Sequence, residues 1–238
     1  MVKKLFPERA QDEDAKQLLI YEAKLASQLD HPKIVRFLGV CWTLQSDVGS
    51  VYELVDGGDL ATFLRTNRRA LSWAKASSKD GSSLPTKLQL AIDIAEALVL
   101  LHSFYPPISH GNLTTKSVVV TASGVAKVWN FRPVGLLGVA DPDASDRGIV
   151  HSDISAFGAL LVELDWCEPA DTHFDEKSVP MLSTSCPRVV AQLARRCLST
   201  TAAEHPSALE AVFELRRAAA TLVESETESD ERLSSSSE

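Results

Sequence analysis

Apolar residues recur at helical spacing in several parts of the chain and form short extended runs in others. The first helical pattern predicts a helix over residues 15–29, and the sequence Asp30-His31-Pro32 ends it. Strands are predicted over 33–41 and 48–55, where short apolar runs are bounded by turn residues. The first quarter of the chain is therefore expected to supply most of the strands.

Helical patterns dominate the rest of the chain. A helix is predicted to begin at Leu60, where Asp59 can act as its cap. Another is predicted from Pro85, a residue suited to a first helical turn, to His102. Two short strands and a helical C-terminal part complete the pattern, with predicted ranges 118–121, 125–129 and 155 onward. Strands early and helices late predict an α+β fold with a small sheet-bearing lobe and a larger helical lobe.

Composition narrows the class of protein further. The 238 residues are 45% hydrophobic and carry a net charge of −8, so nothing in the composition favours a nucleic-acid partner. No signal peptide or membrane span is evident, and four cysteines without metal-ligand spacing suit a reducing compartment. We expect a protein without a membrane partner, located in the cytoplasm, with the nucleus as the alternative.

The last sixteen residues differ in composition from the rest. Residues 223–238 hold six acidic residues, six serines and one arginine. Such a segment has too little apolar surface to offset the entropy of ordering it. We therefore expect a domain over 1–222 and a disordered acidic tail over 223–238.

Several short motifs occur in sequence along the domain. Val2-Lys3-Lys4-Leu5 is an extended segment with a central lysine, and Glu22 stands nine residues before His31. The later motifs are Tyr52-Glu53-Leu54-Val55, His110-Gly111-Asn112-Leu113 with Ser117 after it, and Asn130-Phe131-Arg132. In this order they resemble a protein kinase domain, nearest in style to the tyrosine-kinase-like group, over residues 2–216.

The resemblance implies a small lobe over 1–55, a large lobe over 56–222 and a role for each motif. Lys3 would bind nucleotide phosphate and pair with Glu22. Glu53 and Val55 would belong to the hinge that holds the nucleotide, with Tyr52 beside them as gatekeeper.

The catalytic positions of the family hold different residues here. Asn112 stands where the resemblance expects the aspartate that accepts the substrate proton, and an amide cannot accept it at neutral pH. Ser117 and Asn130 stand at the two metal-binding positions, and neither carries the carboxylate charge that offsets magnesium. No Gly-x-Gly-x-x-Gly occurs, and because the chain begins at Met1, the glycine-rich loop before Lys3 is expected to be lacking.

Residues at packing positions of the family are retained. His110, Phe131 and Asp153 match positions that stack or hydrogen-bond to hold the kinase lobes in register. Retained packing beside replaced chemistry favours a pseudokinase with no intact catalytic residue and no metal site. It would act as a signalling scaffold or allosteric regulator through contacts with signalling proteins, an active kinase among them.

Two alternatives stay open. One is a weak, atypical ATP-dependent Ser/Thr kinase, and the other is a truncated fragment of a larger kinase-like protein. No cofactor is required under the first hypothesis. We expect at most weak, metal-independent binding of ATP, at Lys3, Glu22, Glu53 and Val55.

Overall fold

The structure is a computed structural model that describes residues 1–42, 48–74, 78–79, 82–132, 146–170, 173 and 180–235. Within those ranges only the backbone is described at 78–79, 82–83, 146–149 and 223–235. A small sheet near the N-terminus and a mostly helical remainder confirm the predicted α+β fold.

The N-terminal part is a three-stranded antiparallel sheet with one helix against it. Strands β1 (Val2–Lys4), β3 (Val48–Tyr52) and β2 (Phe37–Trp42) lie in that spatial order. Helix α1 (Glu13–Ala26) packs on the sheet, and its N-cap Asp12 accepts a hydrogen bond from the Ala15 amide at 3.0 Å. This packing places one face of α1 over Lys3, which is paired with Ser50 in the sheet.

The helical part is built around α3 (Lys87–His102), most of whose residues are buried. It packs against α4 (Asp146–Trp166) and α6 (Ala208–Ser235), and α5 (Arg188–Cys197) packs against both of these. The largest fully buried apolar side chains of this core include Leu90, Ile94, Leu98, Leu101, Ile154, Phe157, Leu161 and Leu164.

Two predicted helix starts have different outcomes. Helix α2 (Leu60–Asn67) begins as expected, because the Asp59 carboxylate accepts a hydrogen bond from the Thr62 amide at 2.8 Å. The start predicted at Pro85 is two residues early. Thr86 caps α3 through the Gln89 amide at 2.9 Å, so Pro85 lies before the helix.

A second hairpin joins the sheet to the helices. Strands β6 (Val118–Val120) and β7 (Ala126–Val128) pair with each other, whereas β4 (Ser78–Lys79) and β5 (Ser82–Ser83) form a separate two-residue ladder. Val128 exchanges backbone hydrogen bonds with Lys33 and Val35 at 2.8 and 3.0 Å. The strand predicted over 33–41 therefore begins only at Phe37, because the residues before it pair with β7 instead.

A buried ion pair stabilises the same junction. The ammonium of Lys33 lies 2.6 Å from a carboxylate oxygen of Asp93 on α3, and Asp93 has no solvent exposure. The other oxygen of Asp93 accepts the Ala126 amide at 2.9 Å. One carboxylate thus ties α3, β7 and the segment before β2 together.

The end of the chain differs from the expected disorder. The backbone of α6 is helical from Ala208 to Ser235 and so covers most of the acidic segment. Extending an existing helix requires no new nucleus, and glutamate is a good helix former. Within the described residues, no helix combines the length and the apolarity needed to cross a bilayer.

All four cysteines are unpaired thiols. Burial raises the pKa of Cys186 and Cys197 to about 12, so both stay protonated at neutral pH.

Candidate nucleotide site

Lys3 makes the central contact of the candidate site. Its ammonium donates hydrogen bonds to the carboxylate of Glu22 on α1 and to the side-chain oxygen of Asn130 after β7. Glu22 is only 5% exposed, so burial strengthens its pairing with the lysine. The structure therefore brings together three of the residues singled out from the sequence, 127 positions apart at the widest.

Two aromatic rings fill the space beside this contact. Tyr52 is 1% exposed, and its hydroxyl donates a long hydrogen bond of 3.4 Å to Glu22. The ring of Trp129 lies edge-on to Tyr52 with 6.3 Å between centroids, and the Lys3 ammonium is 5.9 Å from the Trp129 ring. Burial and the neighbouring Glu22 charge raise the pKa of Tyr52, so the phenol stays a hydrogen-bond donor. Sequence reasoning missed Trp129, because an aromatic residue at a strand end has the same pattern as ordinary core.

A buried carboxylate holds the loop after α3. Asp153 on α4 accepts hydrogen bonds from the amides of His110 and Gly111 at 2.9 and 3.1 Å. It also accepts from the Ser109 hydroxyl at 2.9 Å and contacts the His102 ring at 2.9 Å. Burial opposes ionisation, but these donors hold the pKa of Asp153 below its ordinary value. The loop is thus fixed by one ionised side chain from a helix more than forty residues away.

His110 has a structural role in this loop. Its Nδ1 accepts the Asn112 amide at 3.1 Å, so Nε2 carries the proton that it donates to the Trp129 carbonyl, also at 3.1 Å. Burial lowers the pKa of His110 to about 4, which keeps the ring neutral. The ring packs on Phe131 with 5.0 Å between centroids. Both ring nitrogens are occupied by the backbone, so His110 is not placed to carry a proton.

Asn112 and Ser117 lie on the same loop with different surroundings. The Asn112 amide nitrogen donates to the backbone carbonyl of Asn130 at 3.4 Å. Ser117 is fully buried, and its hydroxyl donates to the Thr114 carbonyl at 3.0 Å and accepts the Thr114 amide at 2.8 Å. Ser117 therefore braces the loop and does not join the cluster around Lys3.

A cavity of 170 Å³ opens between α1 and this loop. The polar residues that line it include Lys3, Arg9, Glu22, Asn112, Asn130 and Arg132. Among the lining residues that the structure describes, Glu22 is the one carboxylate, and it is already paired with Lys3. Magnesium is usually held by one or two carboxylates together with phosphate and water oxygens. Here the Lys3 ammonium engages both the Glu22 carboxylate and the Asn130 oxygen, so these side chains as arranged do not fit the ion. Among the described residues there is also no cluster of three metal-ligating side chains elsewhere.

Comparison of the amino-acid sequence with known proteins identifies the family of the chain. Residues 1–138 match the sequence model for the protein tyrosine and serine/threonine kinases. The chain belongs to the protein kinase family. It is 30% identical over 252 residues to wall-associated receptor kinase-like 5 of Arabidopsis thaliana, covering 87% of this chain and 33% of that protein.

Other relatives give the same result. Wall-associated receptor kinase-like 4 of Arabidopsis thaliana is 27% identical over 267 residues, covering 93% of this chain and 34% of its own length. The probable serine/threonine-protein kinase pats1 of Dictyostelium discoideum is 27% identical over 214 residues, covering 78% of this chain and 6% of that protein. The kinase domain described here therefore spans about a third or less of these relatives.

The two residues predicted to belong to the hinge, Glu53 and Val55, do not line the Lys3 cavity. Glu53 accepts hydrogen bonds from the Lys127 ammonium at 2.5 Å and from the Arg36 amide at 2.9 Å. Val55 packs against the apolar cluster that contains Tyr52. Glu53 thus joins the segment before β2 to β7 and does not contact Lys3.

Proposed function

We propose that this kinase domain is catalytically impaired and regulates signalling partners by contact, as a scaffold or allosteric regulator. The observation that carries the proposal is the hydrogen bond from Lys3 to Asn130. The residue at the metal-binding aspartate position is a neutral amide whose oxygen is engaged by the lysine itself.

Phosphoryl transfer depends on a proton acceptor and on metal ions that neutralise developing charge. Asn112 cannot accept a proton at neutral pH. Asn130 and Ser117 offer neutral oxygens, and both oxygens already have partners inside the domain. These replacements lie within the chain, so the proposal does not depend on the glycine-rich loop.

The contacts that stabilise the domain support a role in binding other proteins. Asp153 fixes the loop after α3, and His110 packs on Phe131. A domain that keeps these contacts can present a constant surface to other signalling proteins, an active kinase among them. We place this activity in the cytoplasm, with the nucleus as the alternative.

One observation favours a second candidate, a weak and atypical ATP-dependent Ser/Thr kinase. The pair between Lys3 and Glu22 is formed, and in the family this pair positions nucleotide phosphates. A third hypothesis, a fragment of a larger kinase-like protein, is compatible with the share of the relatives that the chain spans.

A melting experiment combined with a transfer assay separates the first two candidates. Loss of two metal-binding positions at ~1.4 kcal/mol each weakens magnesium-dependent ATP binding about a hundredfold. We expect no rise in melting temperature that requires magnesium when ATP, ATP with magnesium, and ATP with chelator are compared. We also expect no phosphate transfer to a generic protein substrate with magnesium or manganese.

Lys3→Ala is the matched variant for that experiment. Any small rise caused by ATP with chelator should disappear in Lys3→Ala, because Lys3 is the lining cation that contacts both Glu22 and Asn130. A magnesium-dependent rise together with measurable transfer would contradict the proposal and support the enzyme.

A further inference from the structure

A groove between α5 and α6 lies away from the candidate nucleotide site. It has a volume of 880 Å³, and its lining includes Val189 and Arg195 on α5 and Leu209, Phe213 and Arg217 on α6. Leu209 and Phe213 are each 66% exposed. Two large apolar side chains one helical turn apart and open to solvent are typical of an interaction surface.

The charged side chains that line this groove are three arginines and two glutamates, a net charge of +1. Arg196 pairs with Glu214 at 2.5 Å, and Glu210 accepts the Ser207 amide at 2.7 Å at the start of α6. Arg195 and Arg217 have no carboxylate partner among the side chains that the structure describes. The groove therefore combines an apolar floor with a lining of net positive charge, in which Arg195 and Arg217 are available to the carboxylates of an acidic helical segment.

The chain itself contains a segment of that kind. The last turns of α6 carry Glu224, Glu226, Glu228, Asp230 and Glu231, with Arg232 as the one cation between residues 223 and 235. Residues 213 and 228 lie on one continuous helix, and the rise of 1.5 Å per residue separates them by about 22 Å along its axis. A helix cannot fold back on itself, so the acidic end cannot cover the groove of its own chain.

A second copy can supply the acidic end. If two α6 helices lie antiparallel and cross near residue 220, the groove of each faces the acidic end of the other. Ala220 is exposed and small, so it allows the two helix backbones to approach closely at the crossing. We propose that the chain forms a two-fold symmetric dimer in which each groove binds residues 223–235 of the partner copy.

Charge-swap variants of the full chain test this dimer by sedimentation velocity. We expect a dimer at low ionic strength whose dissociation constant rises about tenfold or more in ~0.5 M salt, because the contacts are screened. Arg195→Glu with Arg217→Glu should give a monomer, and so should Glu224→Lys with Glu228→Lys and Glu231→Lys.

The decisive measurement is the mixture of the two monomeric variants. One variant then carries a negative groove and the other a positive helix end, so the mixture should form a heterodimer. As a control, Arg65→Glu with Arg69→Glu makes the same charge change at exposed positions in and just after another helix and should leave the dimer intact.

Three results would overturn the proposal. They are a full chain that stays monomeric at the highest soluble concentration, a dimer that survives the loss of the acidic residues, and a mixture of swapped variants that stays monomeric. Circular dichroism and melting of each variant distinguish loss of the interface from loss of the fold. A monomeric chain leaves the groove to a different occupant.

Discussion

Replacing Asp153 with alanine should be among the most damaging single changes in the domain. Asp153 is 1% exposed and accepts hydrogen bonds from three groups of the loop after α3, the Ser109 hydroxyl and the amides of His110 and Gly111. It also contacts the ring of His102 at the end of α3. The alanine variant removes the acceptor of all these hydrogen bonds at once. The hydroxyl of Ser109 can rotate toward another partner, but the amides of His110 and Gly111 are fixed by the backbone.

The expected cost is set by those two amides. A buried donor that loses its acceptor costs about 1–3 kcal/mol, and hydrogen bonds to an ionised group lie at the upper end. Two such donors give a loss of about 4 kcal/mol in the free energy of unfolding. This is a large part of the ~5–15 kcal/mol that holds a typical domain folded.

Urea unfolding followed by circular dichroism measures this loss. Asp30→Ala is the matched control, because Asp30 is an exposed aspartate in the turn after α1, and we expect a change below about 0.5 kcal/mol there. A loss of less than about 1 kcal/mol for Asp153→Ala would refute the reasoning. It would mean that the loop amides find other acceptors when the carboxylate is absent.

Three further outcomes can be measured. Burial lowers the pKa of His110 to about 4 from its ordinary 6.5, so between these pH values the unfolded chain binds a proton that the folded chain does not, and the free energy of unfolding should fall as the pH drops from about 6.5 toward 4. NMR of the His110 ring should show the neutral Nε2-protonated form at pH 5.5, and a titration midpoint of the ring near 6.5 would contradict this. Asn112→Asp should restore a proton acceptor without producing measurable transfer, since Asn130 and Ser117 remain neutral, and turnover in this single variant would show that the metal positions are not limiting. Gly57→Ala should lower the melting temperature by several degrees, because a Cβ there would lie 2.2 Å from the Val120 carbonyl oxygen, whereas an unchanged melting temperature would mean that β6 can shift at little cost.

The elements of the fold that sequence patterns predicted well are those with strong local signals. Asp59 is a cap directly before an apolar helical pattern, and α2 begins after it as expected. The strand predicted over 33–41 begins too early, because Ile34 and Val35 are buried beside Val128 of β7 and do not belong to β2. Periodicity indicates that a residue is buried but not which strand it pairs with.

In the candidate site, too, some contacts were predictable from the sequence and others were not. The pairing of Lys3 with Glu22 was predictable from the family resemblance, and the structure brings these residues together. The engagement of Lys3 by Asn130 was not predictable, because it depends on the side-chain conformation of a residue with a positive φ of 64°. The hydrogen bonds of the Ser117 hydroxyl with Thr114 were not predictable either, since a serine in a loop has many possible partners.

Long-range polar contacts between unremarkable residues were missed altogether. Lys33 and Asp93 are separated by sixty positions, and each on its own resembles an ordinary surface charge in the sequence. Composition also gave the wrong expectation for the backbone of residues 223–235. An acidic segment that cannot form a core can still extend a helix that is already anchored by packing.

The double contact of Lys3 has a consequence for how the proposed scaffold would respond to metabolism. An incoming phosphate would have to displace the Asn130 oxygen and compete with Glu22, so each binding event exchanges existing contacts for new ones. This exchange weakens binding, and once the dissociation constant lies well above the cellular ATP concentration the site stays mostly empty at every ATP level. Under the proposed function, the chain itself holds α1 against the sheet, and the abundance of the protein, rather than the energy charge of the cell, sets how much partner-binding surface is available.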